Sequence, residues 1–64
     1  MTFYQKVKRA LGQHGPTTYA MLADRMEADA EAVRLQLHEL QRRGQAKAER
    51  GRLHEEARLW TLKP

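Results

Sequence analysis

Apolar residues near the start of the chain recur at the spacing of one helix face. Phe3 is followed at spacings of three and four by Val7, Ala10 and Leu11, and Thr2 precedes them as a candidate N-cap. Glycines and a proline follow the run, and these residues end helices. The pattern predicts a first helix over about 2–14.

A second, shorter apolar pattern follows. Leu22 and Met26 point to one side, and Thr17 or Thr18 can cap the segment through its hydroxyl group. We therefore predict a second helix over about 18–26.

A third helix is predicted over about 30–43, after a short turn that includes Glu27. Asp29 is a candidate N-cap, and Gly44 is a candidate C′ residue in the left-handed conformation. The apolar stripe of this helix consists of Val33, Leu37 and Leu40. The inward stripe leaves an opposite face for solvent or for a partner.

The period of the pattern changes after Gly44. Ala46 and Ala48 alternate with polar residues, and Trp60 and Leu62 do the same near the end of the chain. This alternation predicts two antiparallel strands, while residues 53–56 can extend a strand or form their own turn. The predicted fold class is α+β, with three helices before a β-hairpin, and Trp60 is expected in the core.

Residue types limit the chemistry of the chain. It contains 64 residues without cysteine or serine, and His14, His38 and His54 are far apart. Glu55 and Glu56 would point to opposite faces of a strand, which does not suit paired carboxylate catalysis. We therefore expect no enzymatic activity, no metal site and no cofactor. The sequence has no apolar run long enough to cross a membrane, and a cytoplasmic location is the default expectation.

The formal net charge of +4 is unevenly distributed. Residues 27–33 contain three acidic side chains and no basic ones, whereas residues 34–52 contain six basic and two acidic side chains. Clustered positive charge is typical of proteins that bind nucleic acid, although many basic surfaces are simply solvated.

The segment TTYAMLADRMEADAEAVRLQLHELQRRGQAKA, residues 17–48, resembles winged helix-turn-helix domains of small bacterial or phage-type regulators. The resemblance implies one domain over residues 1–64, with a wing over about 45–62. It also implies that the third helix enters the major groove and that the wing touches the DNA backbone. The chain is similar as well to accessory proteins of bacterial ferrous-iron transport, but it lacks the cysteines that those usually carry in the wing.

The face of the third helix opposite its apolar stripe contains the candidate base-reading residues. They are Glu31, Leu35, His38 and Arg42, with Arg34 on the flank. Arg34 can donate two hydrogen bonds to guanine, and His38 can donate to a base or a phosphate. Each can instead be a solvated side chain, and Arg34 can pair with His38 or Glu31 along the helix.

Two of these candidates have more specific alternatives. Leu35 can contact a thymine methyl group, bind a partner protein or have no role. Glu27, Asp29 and Glu31 lie at the positive end of the helix dipole, where carboxylates stabilise the helix. Glu31 can also accept a hydrogen bond from cytosine.

Two groups of residues are candidates for phosphate contacts. The first consists of Arg42, Arg43, Lys47, Arg50 and Arg52. The second lies at the entrance of the second helix and consists of Thr17, Thr18 and Tyr19. Capping for Thr18 and packing for Tyr19 are the competing interpretations.

The sequence thus favours a small transcriptional regulator that binds double-stranded DNA. So small a module makes few contacts, so we expect a homodimer or a partner protein to supply further specificity. The alternative is a protein-interaction module on the same scaffold, which uses Leu35 and the acids near it. Binding of RNA or single strands is disfavoured, because no exposed aromatic platform is predicted.

Overall fold

The computed structural model describes residues 1–49 and 54–63. They form the expected α+β layout, with helices followed by a two-stranded antiparallel sheet in a winged-helix-like arrangement. The elements are α1 at Phe3–His14, α2 at Tyr19–Met26, α3 at Ala30–Arg42, β1 at Ala46–Ala48, a 3-10 turn at Glu55–Ala57 and β2 at Trp60–Leu62. None of the helices in this part of the chain has the length and apolar character needed to cross a membrane.

Each helix begins after a polar residue whose side chain caps it. Thr2 forms a capping box at α1. The Thr18 hydroxyl accepts a hydrogen bond from the backbone N–H of Met21 at 3.2 Å, and the Asp29 carboxylate accepts one from Ala32 at 3.0 Å. The predicted caps at Thr2 and Asp29 are confirmed, and Thr18 rather than Thr17 caps α2.

The turn between α2 and α3 is short and tightly bonded. Glu27 adopts the left-handed conformation with φ 54°, which is uncommon for a residue with a side chain. Its backbone N–H donates to the carbonyl of Asp24 at 3.1 Å, and Ala28 donates to Ala23 at 2.9 Å. After α3 the left-handed position is taken by Gly44 with φ 75°, as predicted.

The core lies between the three helices and the inner face of the sheet. Its members are Val7, Leu11, Leu22, Ala23, Val33, Leu37, Leu40, Ala46 and Trp60. Trp60 is the largest of them and is completely buried, as the alternation predicted, while Phe3 packs partly buried against the group. Burial of one large apolar side chain contributes about 1.5–3 kcal/mol, so this small core depends strongly on its largest member.

The two strands pair so that one face of the sheet meets the helices. Ala48 pairs with Trp60 and Ala46 with Leu62, while Lys47 and Thr61 form the pair between them. Because successive side chains alternate across a strand, Lys47 lies on the outward face, and it is exposed.

Thr17, between α1 and α2, extends the sheet by one residue. Its N–H donates to the carbonyl of Trp60 at 3.1 Å, and the N–H of Trp60 donates back to Thr17 at 2.7 Å. Trp60 therefore lies between Thr17 and β1. The Thr17 residue is only 4% exposed, and its hydroxyl donates to the carbonyl of Thr18. This burial contradicts the expected phosphate contact of Thr17.

We expect that Thr18→Ala will lower the free energy of unfolding by about 1 kcal/mol, because the N–H of Met21 loses its acceptor. Urea unfolding followed by circular dichroism measures this change. Thr18→Ser keeps the hydroxyl group and should remain close to wild type. An alanine variant as stable as wild type would contradict the capping role.

Candidate nucleic-acid interface

The outward side of α3 carries the candidate base-reading residues. Val33, Leu37 and Leu40 are buried on its inner side. Glu31 and Arg42 are exposed on the remaining surface, and Leu35 is 55% exposed. Arg34 and His38 are half-buried, because residues from the hairpin pack beside them.

Two carboxylates hold the guanidinium group of Arg34. Its Nε donates to Oε2 of Glu31 at 3.0 Å, and its Nη2 donates to Oε1 of the same residue. Its Nη1 approaches Oε1 of Glu55 at 3.5 Å. The hydrogen bond from Arg34 lowers the pKa of Glu31 below its ordinary value. Of the two pairing partners expected for Arg34, the structure shows Glu31, and Glu55 adds a contact from the hairpin.

Glu55 also contacts His38, and His38 in turn contacts the core. Oε1 of Glu55 lies 2.5 Å from Nε2 of His38, and this hydrogen bond is the largest cause of the lowered pKa of Glu55. The edge of the imidazole ring meets Trp60, with ring centroids 5.3 Å apart and planes at 80°. His38 therefore faces the hairpin, so the expectation that it lies opposite the core needs correction.

Residues 54–56 do not extend either strand. Glu55 and Glu56 belong to the 3-10 turn at Glu55–Ala57, and His54 is the residue that precedes this turn. From the sequence, this segment could either extend a strand or form its own turn, and the structure shows the turn. The turn places the Glu55 carboxylate next to α3, where it contacts Arg34 and His38.

Trp60 also contains a buried polar atom without a partner. Within residues 1–49 and 54–63, its indole Nε1 has no hydrogen-bond acceptor. Leaving a buried donor unsatisfied typically costs about 1–3 kcal/mol. Packing of the ring in the core must therefore outweigh this cost.

The basic residues at the end of α3 are paired with an acid on the same helix. Arg42 donates to Glu39 through Nε at 3.0 Å and through Nη2 at 2.6 Å, and Arg43 donates to it through Nε at 3.0 Å. These bonds lower the pKa of Glu39, with Arg42 as the larger cause. The guanidinium of Arg43 also stacks over the ring of Tyr4 at 4.8 Å, which directs it towards α1 rather than the hairpin.

The remaining phosphate candidates have different positions. Lys47 is exposed on the outward face of β1, where it shares a shallow groove with Lys63. Tyr19 is partly buried against the core, which agrees with its packing role, and Thr18 is the cap of α2. Arg50 and Arg52 lie outside the described residues.

Sequence reasoning missed Glu39 and Glu55 as members of this surface. Glu39 precedes Arg42 and Arg43 by three and four positions, so helical spacing already indicated the pairing. Glu55 lies 21 positions from Arg34, and no local pattern connects them.

Among residues 1–49 and 54–63, no group of three histidine or carboxylate side chains is placed to hold a metal ion. Comparisons of the chain with protein-family models, with curated proteins and with solved structures found no match.

We expect Glu55 to contribute to stability in a pH-dependent way. Its pKa in the folded protein is lower than the ordinary 4.5, so its contribution is present above that value and is lost as the pH falls through the folded pKa. Glu55→Gln should be less stable than wild type near neutral pH and should lose less stability on acidification. Urea unfolding at about pH 6 and about pH 3, followed by Trp60 fluorescence, measures both effects.

Glu56→Gln is the matched control, because Glu56 is the exposed neighbour of Glu55 in the same turn. It should behave as wild type at both pH values. If Glu55→Gln lost as much stability as wild type on acidification, the ionised contact would not stabilise the fold.

Proposed function

We propose that this protein binds duplex DNA as a small transcriptional regulator, with α3 in the major groove and the hairpin against the backbone. The observation that carries the proposal is the direct contact between α3 and the hairpin turn through Arg34, His38 and Glu55. It joins the helix and the hairpin into one continuous surface, which binding of one duplex by both elements requires.

The dimensions and donors of α3 support this proposal. Its 13 residues extend about 20 Å, and the major groove admits an α-helix. Arg34 supplies nitrogen donors for base edges, and the exposed Leu35 can contact a thymine methyl group. The charges on this surface indicate where phosphates can approach it.

Phosphate contacts belong at the hairpin rather than at the start of α3. Glu27, Asp29 and Glu31 are exposed at that start and repel phosphate. Lys47 is exposed on β1, and in the described part of the chain its side chain forms no salt bridge. This distribution favours moderate affinity for any duplex, so a second copy or a partner protein would add specificity.

A second candidate is a protein-interaction module, and a specific observation favours it. Arg34, Arg42 and Arg43 all pair with carboxylates, which reduces the positive potential that attracts DNA. Leu35 is 55% exposed and Met21 54% exposed. An apolar partner surface would remove both side chains from contact with water.

The two candidates differ in their dependence on salt. Amide-resolved NMR titration of the labelled protein with a random-sequence duplex, at about 50 mM and about 200 mM salt, tests the first. Salt-sensitive shifts at Arg34, His38 and Lys47 are expected, because phosphate contacts release counterions. Absence of shifts at the lower salt concentration would overturn DNA binding and direct attention to Leu35.

A charge variant provides a sharper test. Lys47→Gln should weaken duplex binding and reduce the slope of log affinity against log salt by about 0.9, the effect of one phosphate contact. Fluorescence anisotropy with a labelled duplex measures the slope. Lys6→Gln makes the same charge change on α1 and should leave the slope unchanged. Equal effects of the two variants would show a response to net charge alone.

A further inference from the structure

We propose that Glu31 and Glu55 are positioning residues that hold Arg34 so that its two remaining N–H groups read a guanine in the bound duplex. This inference rests on the proposed function and specifies its base-reading contact. It assigns to both carboxylates a role in selectivity, although as negative charges they oppose the binding of DNA.

The count of donors on Arg34 leads to this proposal. A guanidinium group has five N–H donors. Glu31 accepts from Nε and from Nη2, and Glu55 is approached by Nη1. Among residues 1–49 and 54–63, this leaves one N–H on each of the two terminal nitrogens without an acceptor. Guanine presents two acceptors, O6 and N7, in the major groove, so the remaining donors match them in number.

The local charge favours a base over a phosphate as the ligand of Arg34. In the described part of the chain, two carboxylates contact the guanidinium of Arg34, and one of them, Glu55, also contacts His38. A phosphate brought to Arg34 would be repelled by both carboxylates at short range. The edge of a guanine carries no net charge, so the carboxylates repel its acceptors much less than they repel a phosphate.

Contacts with the core give the arrangement its rigidity. Trp60 is completely buried, His38 lies against its ring, and Glu55 is bonded to His38. Glu55 thus links Arg34 to the hairpin, while Glu31 holds it from the preceding turn of α3. A long arginine side chain loses conformational freedom when it binds, and prior positioning reduces that loss.

The experiment begins with selection of sites from a library of duplexes with a randomised centre. The enriched site is then compared with a duplex in which 7-deazaguanine replaces guanine, which removes only the N7 acceptor. Wild type should discriminate between the two duplexes by about tenfold at one guanine, and Arg34→Ala should abolish that discrimination.

The positioning role predicts that the carboxylate variants lose discrimination between the two duplexes but gain affinity. Glu31→Gln and Glu55→Gln should reduce the discrimination to about threefold or less, while raising affinity for the 7-deazaguanine duplex because a repelling charge is lost. Glu27→Gln and Glu56→Gln are the matched controls, since each removes a nearby exposed carboxylate without a hydrogen bond to Arg34. They should keep the tenfold discrimination.

Other outcomes overturn the proposal in distinguishable ways. If both carboxylate variants bind the two duplexes more tightly but discriminate as well as wild type, the carboxylates only repel DNA. If Arg34→Ala still discriminates, another residue reads the guanine. If wild type enriches no site or binds no duplex, the proposed function itself fails. Glu31→Gln alone decides the question if Glu55→Gln does not fold, because the side chain of Glu31 is exposed.

Discussion

The burial of Trp60 is the constraint on which the rest of the structure depends. A chain of 64 residues has few large apolar groups to bury, and Trp60 is the largest in its core. Its backbone pairs with Thr17, and its strand pairs with β1. The same residue therefore joins the segment before α2 to the hairpin and packs the hairpin against the helices. Its ring also supports His38, which links the core to the surface of α3.

The arginines of α3 are paired with carboxylates, so the surface is less positive than the number of arginines indicates. Composition alone indicates a basic surface, but Arg34 is paired with Glu31, and Arg42 and Arg43 share the single carboxylate of Glu39. Paired arginines attract phosphate weakly and present their remaining donors in a restricted geometry. Such a surface is better suited to selection among ligands than to tight binding of any anion. Lys47, on the outward face of β1, forms no salt bridge within the described residues, so its positive charge is not offset by a paired carboxylate.

Part of the candidate site was predictable because its members are close in sequence. Exposed Leu35 and the pair Arg34–Glu31 follow from helical spacing, as does the capping role of Asp29. The contacts of Glu55 were not predictable, because they join residues 17 and 21 positions apart. Burial of Thr17 was also missed, since its backbone pairing with Trp60 depends on the position of a distant strand.

The sequence by itself determined the helices, the caps at Thr2 and Asp29, the left-handed glycine after α3 and most of the core. These features depend on local hydrogen bonds and on apolar periodicity, which a single segment contains. Only the tertiary structure decided which charges meet between different elements. Long-range pairing of β2 with Thr17 and β1 places the 3-10 turn beside α3, and this placement brings Glu55 to Arg34 and His38. Side chains distant in the sequence interact only when packing has fixed the backbone that carries them.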